Sequence, residues 1–82
     1  MKGSTEPTVL IVEDESALST LLRYNLEREG YRVFEAKDGE EGLLLADEAK
    51  PDLVLLDWML PQLSGIEVCR RIRGRPETRN LP

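Results

Sequence analysis

Two short apolar runs, each ended abruptly by acidic residues, constrain the fold of this 82-residue chain most strongly. The first run, residues 8–12, precedes Glu13 and Asp14, and the second, residues 53–56, precedes Asp57. Short continuous runs of valine, isoleucine and leucine are typical of strands that are buried on both faces of a parallel sheet. We therefore predict two central strands whose carboxyl ends carry carboxylates.

The segments that follow these strands have the spacing and end signals of amphipathic helices. Leucines recur at helical spacing in the first segment, at positions 18, 21, 22 and 26. Glycine, proline and capping residues mark the helix ends. The first predicted helix is residues 16–29, followed by Gly30 as the C-terminal glycine. The second is capped by Asp38 and Glu41 and is closed by Pro51. The third begins at the capping box Ser64 to Glu67 and ends near Gly74 and Pro76.

Strands and helices therefore alternate as β-α-β-α-β-α, with connections short enough that each helix crosses over between parallel strands. Residues 31–36 form the remaining strand, which is more polar than the other two and suits a sheet edge. The first and third strands then lie side by side in the centre. This predicts an α/β fold with strand order 2-1-3 and helices on both faces, the N-terminal part of a flavodoxin-like parallel sheet.

Composition excludes several classes of site and partner. The net charge of −5 argues against direct contact with nucleic acid, and the absence of histidine excludes a histidine base or metal ligand. The single cysteine, Cys69, rules out an internal disulfide and is expected to be a small apolar residue of the third helix. No apolar run approaches membrane-spanning length, so we expect a cytoplasmic domain without membrane contact.

Charge is distributed unevenly along the chain. Residues 70–82 contain five arginines and one glutamate, a net charge of +4, which leaves −9 for residues 1–69. Cations are favourable at a helix C-terminus, so a solvated helix end is the simpler interpretation. Contact with an acidic partner is the alternative.

Ligands bind to open parallel sheets beyond the carboxyl ends of the strands, where the strand order reverses. Here that position lies between the first and third strands, which deliver Glu13, Asp14 and Asp57 to the same edge. An all-oxygen anionic site without histidine or cysteine suits a hard divalent ion, Mg²⁺ first. With the ion present, one aspartate can attack a phosphoryl donor and form an aspartyl phosphate. The alternative is that these acids only cap the following helices or face solvent.

The sequence resembles the receiver domain of two-component response regulators. The resemblance is carried by Val9-Leu10-Ile11-Val12-Glu13-Asp14-Glu15, by Pro51-Asp52-Leu53-Val54-Leu55-Leu56-Asp57-Trp58-Met59-Leu60-Pro61, and by Ser64-Gly65. The form Asp-Trp-Met-Leu-Pro at residues 57–61, together with Glu67-Val68-Cys69-Arg70-Arg71-Ile72-Arg73 and residues 78–82, resembles the phosphate-regulon branch of winged-helix transcription factors.

This resemblance implies a role for each acidic residue. It makes Asp57 the phosphoacceptor for a sensor histidine kinase and one of the Mg²⁺ ligands. Asp14 would bind the ion directly, Glu13 would act through a water, and Met59 would contribute its backbone carbonyl. Pro61 and Gly65 are expected only to shape the loop and the helix start.

The sequence departs from the family pattern because it stops after the third helix. We expect a flexible segment at residues 1–7 and a partial receiver domain at 8–82, without the fourth and fifth strands. The hydroxyl residue and the lysine that bind the phosphoryl group in the family are missing with them. The resemblance then implies a fragment of a longer regulator, in which the third strand becomes an exposed edge. We expect the isolated chain to pair with a second copy through this edge, to swap elements with it, or to fold poorly.

A phosphoacceptor signalling module, not a conventional enzyme, is the favoured function. The alternatives are a receiver-like interaction module that is never phosphorylated and an inactive fragment without the switch residues. A phosphatase with an aspartyl nucleophile is less favoured, because that class usually has a second acid two residues later, where this chain has Met59.

Overall fold

A computed structural model describes residues 6–57, 60 and 63–82 of the chain. Its elements are β1 (Thr8–Val12), α1 (Ser16–Arg28), β2 (Arg32–Ala36), α2 (Gly39–Glu48), β3 (Leu53–Leu56) and α3 (Gly65–Arg73). The three strands are parallel and lie in the order β2-β1-β3. The predicted element order and strand order are therefore confirmed.

Strand β1 forms the centre of the molecule, and all five of its residues are buried. Its side chains alternate between the two faces of the sheet, as a strand requires. Leu10 and Val12 pack with α2 and α3 through Leu43, Val68 and their neighbours. Val9 and Ile11 lie on the opposite face, where α1 packs. Helices thus cover both faces, and β1 ends in Glu13 between them.

The first helix uses less of its apolar surface than its leucine spacing predicts. Leu22 and Leu26 pack on the sheet, whereas Leu18 and Leu21 are 41% and 56% exposed. Ser19 is instead the buried residue of α1, where its hydroxyl donates to Glu35 Oε1 of β2 at 2.9 Å. A polar contact to the edge strand therefore replaces part of the expected apolar face.

The predicted helix ends are largely as the sequence indicates. Gly30 has a φ of +94°, and the amides of Gly30 and Tyr31 donate to the carbonyls of Glu27 and Leu26, which forms a Schellman motif. Tyr31 is used in that motif, and β2 therefore begins one residue later than predicted. Helix α1 likewise ends at Arg28 rather than at residue 29.

In each predicted capping box, the N-cap side chain forms its hydrogen bond to the helix, whereas the glutamate side chain does not bond back to the N-cap amide. Asp38 accepts a hydrogen bond from the Glu41 amide, and Ser64 accepts one from the Glu67 amide. The glutamate side chains bind elsewhere. Glu41 accepts from the amide of Lys37, and Glu67 pairs with Arg70 and Arg71, so the reciprocal bonds differ from the simple capping-box pattern.

Candidate metal and phosphoacceptor site

The carboxyl ends of β1 and β3 bring three carboxylates together. Glu13, Asp14 and Asp57 each present an oxygen atom, and these oxygens all lie within 4.8 Å of one another. We call these three residues the acidic cluster. Their sequence positions are distant, and the parallel pairing of β1 with β3 places them at one edge of the sheet.

Backbone hydrogen bonds continue past the strands and fix the cluster in place. The Asp57 amide donates to the Val12 carbonyl at 3.1 Å, and the Glu13 amide donates to the Ala36 carbonyl at 3.0 Å. The sheet ladder therefore holds the Cα atoms of both acids, and the position of each carboxylate follows from a rigid strand rather than from a mobile loop.

Glu13 is the most buried member of the cluster, with 9% of its surface exposed. Burial raises the pKa of the Glu13 carboxyl, and the neighbouring Asp57 and Asp14 raise this pKa further. One favourable contact acts against the rise, because the Glu15 amide donates to Glu13 Oε2 at 3.1 Å. Sequence reasoning missed this amide, since every residue type except proline would supply the same donor at position 15.

The surface beside the cluster combines carboxylates with apolar walls. A cavity of about 280 Å³ lies next to Glu13 and Asp57 and is lined on its apolar side by Ile11, Leu22 and Leu55. Asp14 is exposed at the start of the turn that leads into α1. The cluster can therefore be reached from solvent through the exposed Asp14 and the half-buried Asp57, whereas Glu13 is buried.

The chemistry of the donor set fits a hard divalent cation. Three carboxylates at this separation repel one another in the absence of a cation. Mg²⁺ prefers oxygen ligands and is commonly held by one or two carboxylates together with waters and phosphate oxygens. The acidic cluster offers such ligands. The predicted Met59 carbonyl lies outside the described residues, as do Trp58 and Pro61.

The remaining sequence-derived candidates lie away from the cluster. Cys69 is a half-buried free thiol on α3. Arg75 pairs with Asp47 of α2, and Arg73 donates to the carbonyls of Arg79 and Leu81, so much of the basic segment is bound within the chain. In the described part of the chain, no helix is both long and apolar enough to cross a membrane.

A flavodoxin-like sheet with an acidic cluster at its strand-order reversal defines a class of α/β signalling domain, and comparison with known proteins identifies the family. The family model for the response regulator receiver domain matches residues 9–82 of the sequence. The chain belongs to this family of signalling domains. The resemblance predicted from the sequence is confirmed.

Two curated relatives are transcriptional regulatory proteins. The chain is 58% identical over 76 residues to the phosphate regulon transcriptional regulatory protein PhoB of Rhizobium meliloti, which covers 93% of this chain and 34% of that protein. It is also 58% identical over 65 residues to the alkaline phosphatase synthesis transcriptional regulatory protein PhoP of Bacillus subtilis, covering 79% of this chain and 27% of that protein. The matched part of the chain thus spans between about a quarter and a third of the length of these relatives.

Solved receiver domains share the fold. The N-terminal domain of a response regulator receiver protein from Methanoculleus marisnigri is 41% identical, with a TM-score of 0.89 over 92% of this chain and 61% of that one. The receiver domain of the sensor histidine kinase PA1611 from Pseudomonas aeruginosa is 32% identical, with a TM-score of 0.90 over 95% of this chain and 64% of that one. That structure has a magnesium ion coordinated in its active site cleft.

Proposed function

We propose that this chain is a phosphoacceptor module in which Asp57 takes a phosphoryl group from a sensor histidine kinase in a Mg²⁺-dependent reaction. The observation that carries the proposal is the acidic cluster, whose three carboxylate oxygens lie within 4.8 Å of one another at the carboxyl ends of β1 and β3. A cytoplasmic location is part of this proposal.

Asp14, Asp57 and Glu13 would hold the ion. Their oxygens match the preference of Mg²⁺, and the presence of magnesium in the cleft of the PA1611 receiver domain supports the same assignment. Met59 is proposed as a further ligand through its backbone carbonyl. When bound, the ion neutralises the carboxylates and the negative charge on the phosphoryl group during transfer.

The chain itself supplies the nucleophile and its orientation. A carboxylate oxygen of Asp57 forms a bond to phosphorus, while the bond from phosphorus to the histidine nitrogen of the donor breaks and its electron pair stays on that nitrogen. The product is an acyl phosphate on Asp57. The bond from the Asp57 amide to the Val12 carbonyl keeps the nucleophile in register with Glu13 and Asp14 throughout.

The output of the phosphorylated form is proposed to be transcriptional. The two curated relatives named above are transcriptional regulatory proteins, and this chain matches 34% of the first and 27% of the second. We infer that the chain transmits the phosphorylation state within a longer regulator of that kind and makes no direct contact with nucleic acid. Its negative charge of −5 is consistent with that division of roles.

The experiment is incubation with acetyl phosphate and Mg²⁺, followed by intact-protein and peptide mass spectrometry. We expect one phosphoryl group, located at Asp57, which is absent in Asp57→Asn and absent when EDTA replaces Mg²⁺. Asp47→Asn is the matched control, because Asp47 lies on α2 and pairs with Arg75 away from the cluster. A modification that persists in Asp57→Asn contradicts the proposal, as does an unmodified protein in a longer chain that includes these residues.

Association between copies of the chain is the second part of the proposal. Strand β3 has one strand neighbour among the described residues, β1, and on its other edge the Val54 amide donates to the Pro82 carbonyl at 2.9 Å. We expect copies to associate through this edge.

A further inference from the structure

The carboxyl end of β2 supports Glu13, the most buried acid of the acidic cluster. The bond from the Glu13 amide to the Ala36 carbonyl, at 3.0 Å, closes the pairing of β1 with β2 at this end of the sheet. Glu13 is 9% exposed, so its carboxylate has little room to compensate for a shift of the backbone. Contacts that fix Ala36 therefore also fix the position of Glu13.

Strand β2 lies at the edge of the sheet, where backbone is held by fewer contacts than in a central strand. Among the described residues its one strand neighbour is β1. The flavodoxin-like strand order 2-1-3-4-5 adds further strands beyond β3, so β2 is an edge strand in a complete sheet of this kind as well. Segments with few contacts open locally more often than the core does. The support of Glu13 thus requires contacts besides the pairing with β1.

Two glutamates hold this end of β2 to helices on opposite faces of the sheet. Glu35 accepts hydrogen bonds from the buried Ser19 hydroxyl and from Arg23 Nη1 of α1, both at 2.9 Å. Glu41 of α2 accepts a hydrogen bond from the Lys37 amide at 2.8 Å through Oε1. These bonds hold the residues immediately before and after the one whose carbonyl supports the cluster.

We propose that Glu35 and Glu41 are positioning residues that act on Glu13 through the Ala36 carbonyl. Neither glutamate belongs to the acidic cluster, and each is bound to a neighbouring element of the chain. A ligand that is held in place before the ion arrives loses less conformational freedom on binding, so these contacts also raise the affinity for the ion. The part of this assignment that concerns the ion rests on the proposed function.

The chain offers a matched control for each glutamate. Arg23 also pairs with Glu27, which lies on α1 with its side chain half exposed. Glu27→Ala and Glu35→Ala each remove one carboxylate partner of Arg23, and the second alone releases β2. Glu40 and Glu41 both lie in the first turn of α2. Glu40→Ala and Glu41→Ala therefore remove the same charge from that turn, and the second alone frees the amide after Ala36.

The test is amide hydrogen exchange, followed by NMR in the metal-free chain. We expect the Glu13 amide to exchange about tenfold faster in Glu35→Ala and in Glu41→Ala than in the parent. The Asp57 amide donates to the Val12 carbonyl on the other side of β1 and is the internal reference. We expect its rate to change by less than about twofold in every variant.

The control and rescue variants distinguish positioning from general stability. Glu27→Ala and Glu40→Ala are expected to leave the ratio of the Glu13 and Asp57 exchange rates unchanged. Glu35→Gln keeps an oxygen that accepts from Ser19 and Arg23, and it is expected to restore most of the slow exchange. The two alanine variants release opposite faces of the sheet, so either one decides the question if the other does not fold.

The affinity for Mg²⁺ is the second measurement. We expect its Kd to rise about tenfold in Glu35→Ala, the lower end of the range for outer-shell partners of metal ligands, and to stay unchanged in Glu27→Ala. Equal acceleration of the Glu13 and Asp57 amides, an unchanged Glu13 amide, or equal Mg²⁺ affinities of Glu35→Ala and the parent overturns the proposal. A parent that binds no Mg²⁺ contradicts the proposed function alone, since the exchange measurement needs neither metal nor phosphorylation.

Discussion

Single residues fix both the acidic cluster and the turns that surround it. Glu13 follows a fully buried strand, and its carboxyl is therefore drawn into the protein, where burial and two neighbouring acids raise its pKa. The position of the acids was predictable from the sequence, because a strand that ends in acidic residues places them at the sheet edge. The amide of Glu15 as a partner of Glu13 was not predictable, since it depends on the local path of the backbone.

Replacing Glu13 by glutamine is expected to stabilise the metal-free protein at neutral pH, by about 1 kcal/mol. A charged Glu13 costs stability because its folded pKa is raised. The gain shrinks as pH falls through the raised pKa toward the usual glutamate value, because Glu13 then takes up a proton in the folded state. Urea unfolding at several pH values measures the difference.

In Glu13→Gln, Mg²⁺ is expected to stabilise the protein less than it stabilises the parent. Ligands that bind only the folded state raise the free energy of unfolding, so Mg²⁺ stabilises the parent protein more than Glu13→Gln. Glu40 is an exposed residue of α2, and Glu40→Gln is the control. We expect it to change neither the free energy of unfolding without metal nor the gain on adding Mg²⁺ by more than about 0.5 kcal/mol. Equal responses to Mg²⁺ in the parent and in Glu13→Gln contradict this account of the site.

Two residues with positive φ give a matched test of backbone conformation. Gly30 has a φ of +94°, and no atom lies within 4 Å of the position that a Cβ would occupy. Gly30→Ala is therefore expected to destabilise by about 1 kcal/mol through conformation alone. Lys50 has a φ of +48°, so Lys50→Gly is expected to be neutral or stabilising by up to about 1 kcal/mol. Thermal unfolding measures both, and a stabilising Gly30→Ala contradicts the assigned backbone.

At the scale of elements, helix packing on the sheet combines apolar contacts with one polar network. Leucine spacing predicted the existence of α1 and its general face. It did not predict that Ser19 is buried against Glu35, because a serine among leucines carries no signal for a partner on another strand. Arg23 completes the network with bonds to Glu35 and Glu27.

Removing the charge of Glu35 tests this network. Hydrogen bonds from Arg23 and Ser19 lower the pKa of the Glu35 carboxyl. A depressed folded pKa contributes stability that is present above the unfolded pKa and is lost as pH falls through the folded pKa. Glu35→Gln is thus expected to cost about 0.5 kcal/mol near pH 7, since the partner Arg23 is half exposed, and nearly nothing once the pH is below the folded pKa of Glu35. A cost that is independent of pH contradicts the charge argument.

The contact between α2 and α3 depends on a glycine. A Cβ at Gly39 would lie 2.6 Å from Val68 Cγ2 and 2.9 Å from the Leu63 carbonyl oxygen. Gly39→Ala is expected to destabilise by about 1–3 kcal/mol, the range for overpacking. Gly74→Ala is the control, because its Cβ would lie at ordinary contact distances of 3.5 and 3.6 Å from carbonyl oxygens. Similar denaturation midpoints for the parent and Gly39→Ala contradict this packing.

At the scale of the whole molecule, the sheet topology and the distribution of charge act together. Parallel strands in the order β2-β1-β3 collect the acids at one end, and α3 returns the chain toward the other end with its arginines. The strand order and the uneven charge were both predictable from the sequence. Continuous apolar runs identify the central strands, and helical crossovers make the strands parallel, so their carboxyl ends lie at one edge. The partners of these arginines were not predictable, since a run of arginines does not specify its acceptors. Arg73 donates to the Leu81 carbonyl, and Arg75 pairs with Asp47.

The central claim is that Glu13, Asp14 and Asp57 together bind one divalent ion. Paramagnetic broadening by substoichiometric Mn²⁺ in an amide-resolved NMR spectrum tests it most directly. The account predicts that broadening is strongest at residues 13, 14 and 57, is reversed by excess Mg²⁺, and is lost in Asp14→Asn. Asp52 lies at the other end of β3, where it accepts a hydrogen bond from the Thr8 amide, and serves as the internal reference. Broadening centred on Asp52, or spread evenly over exposed acids, would contradict the claim.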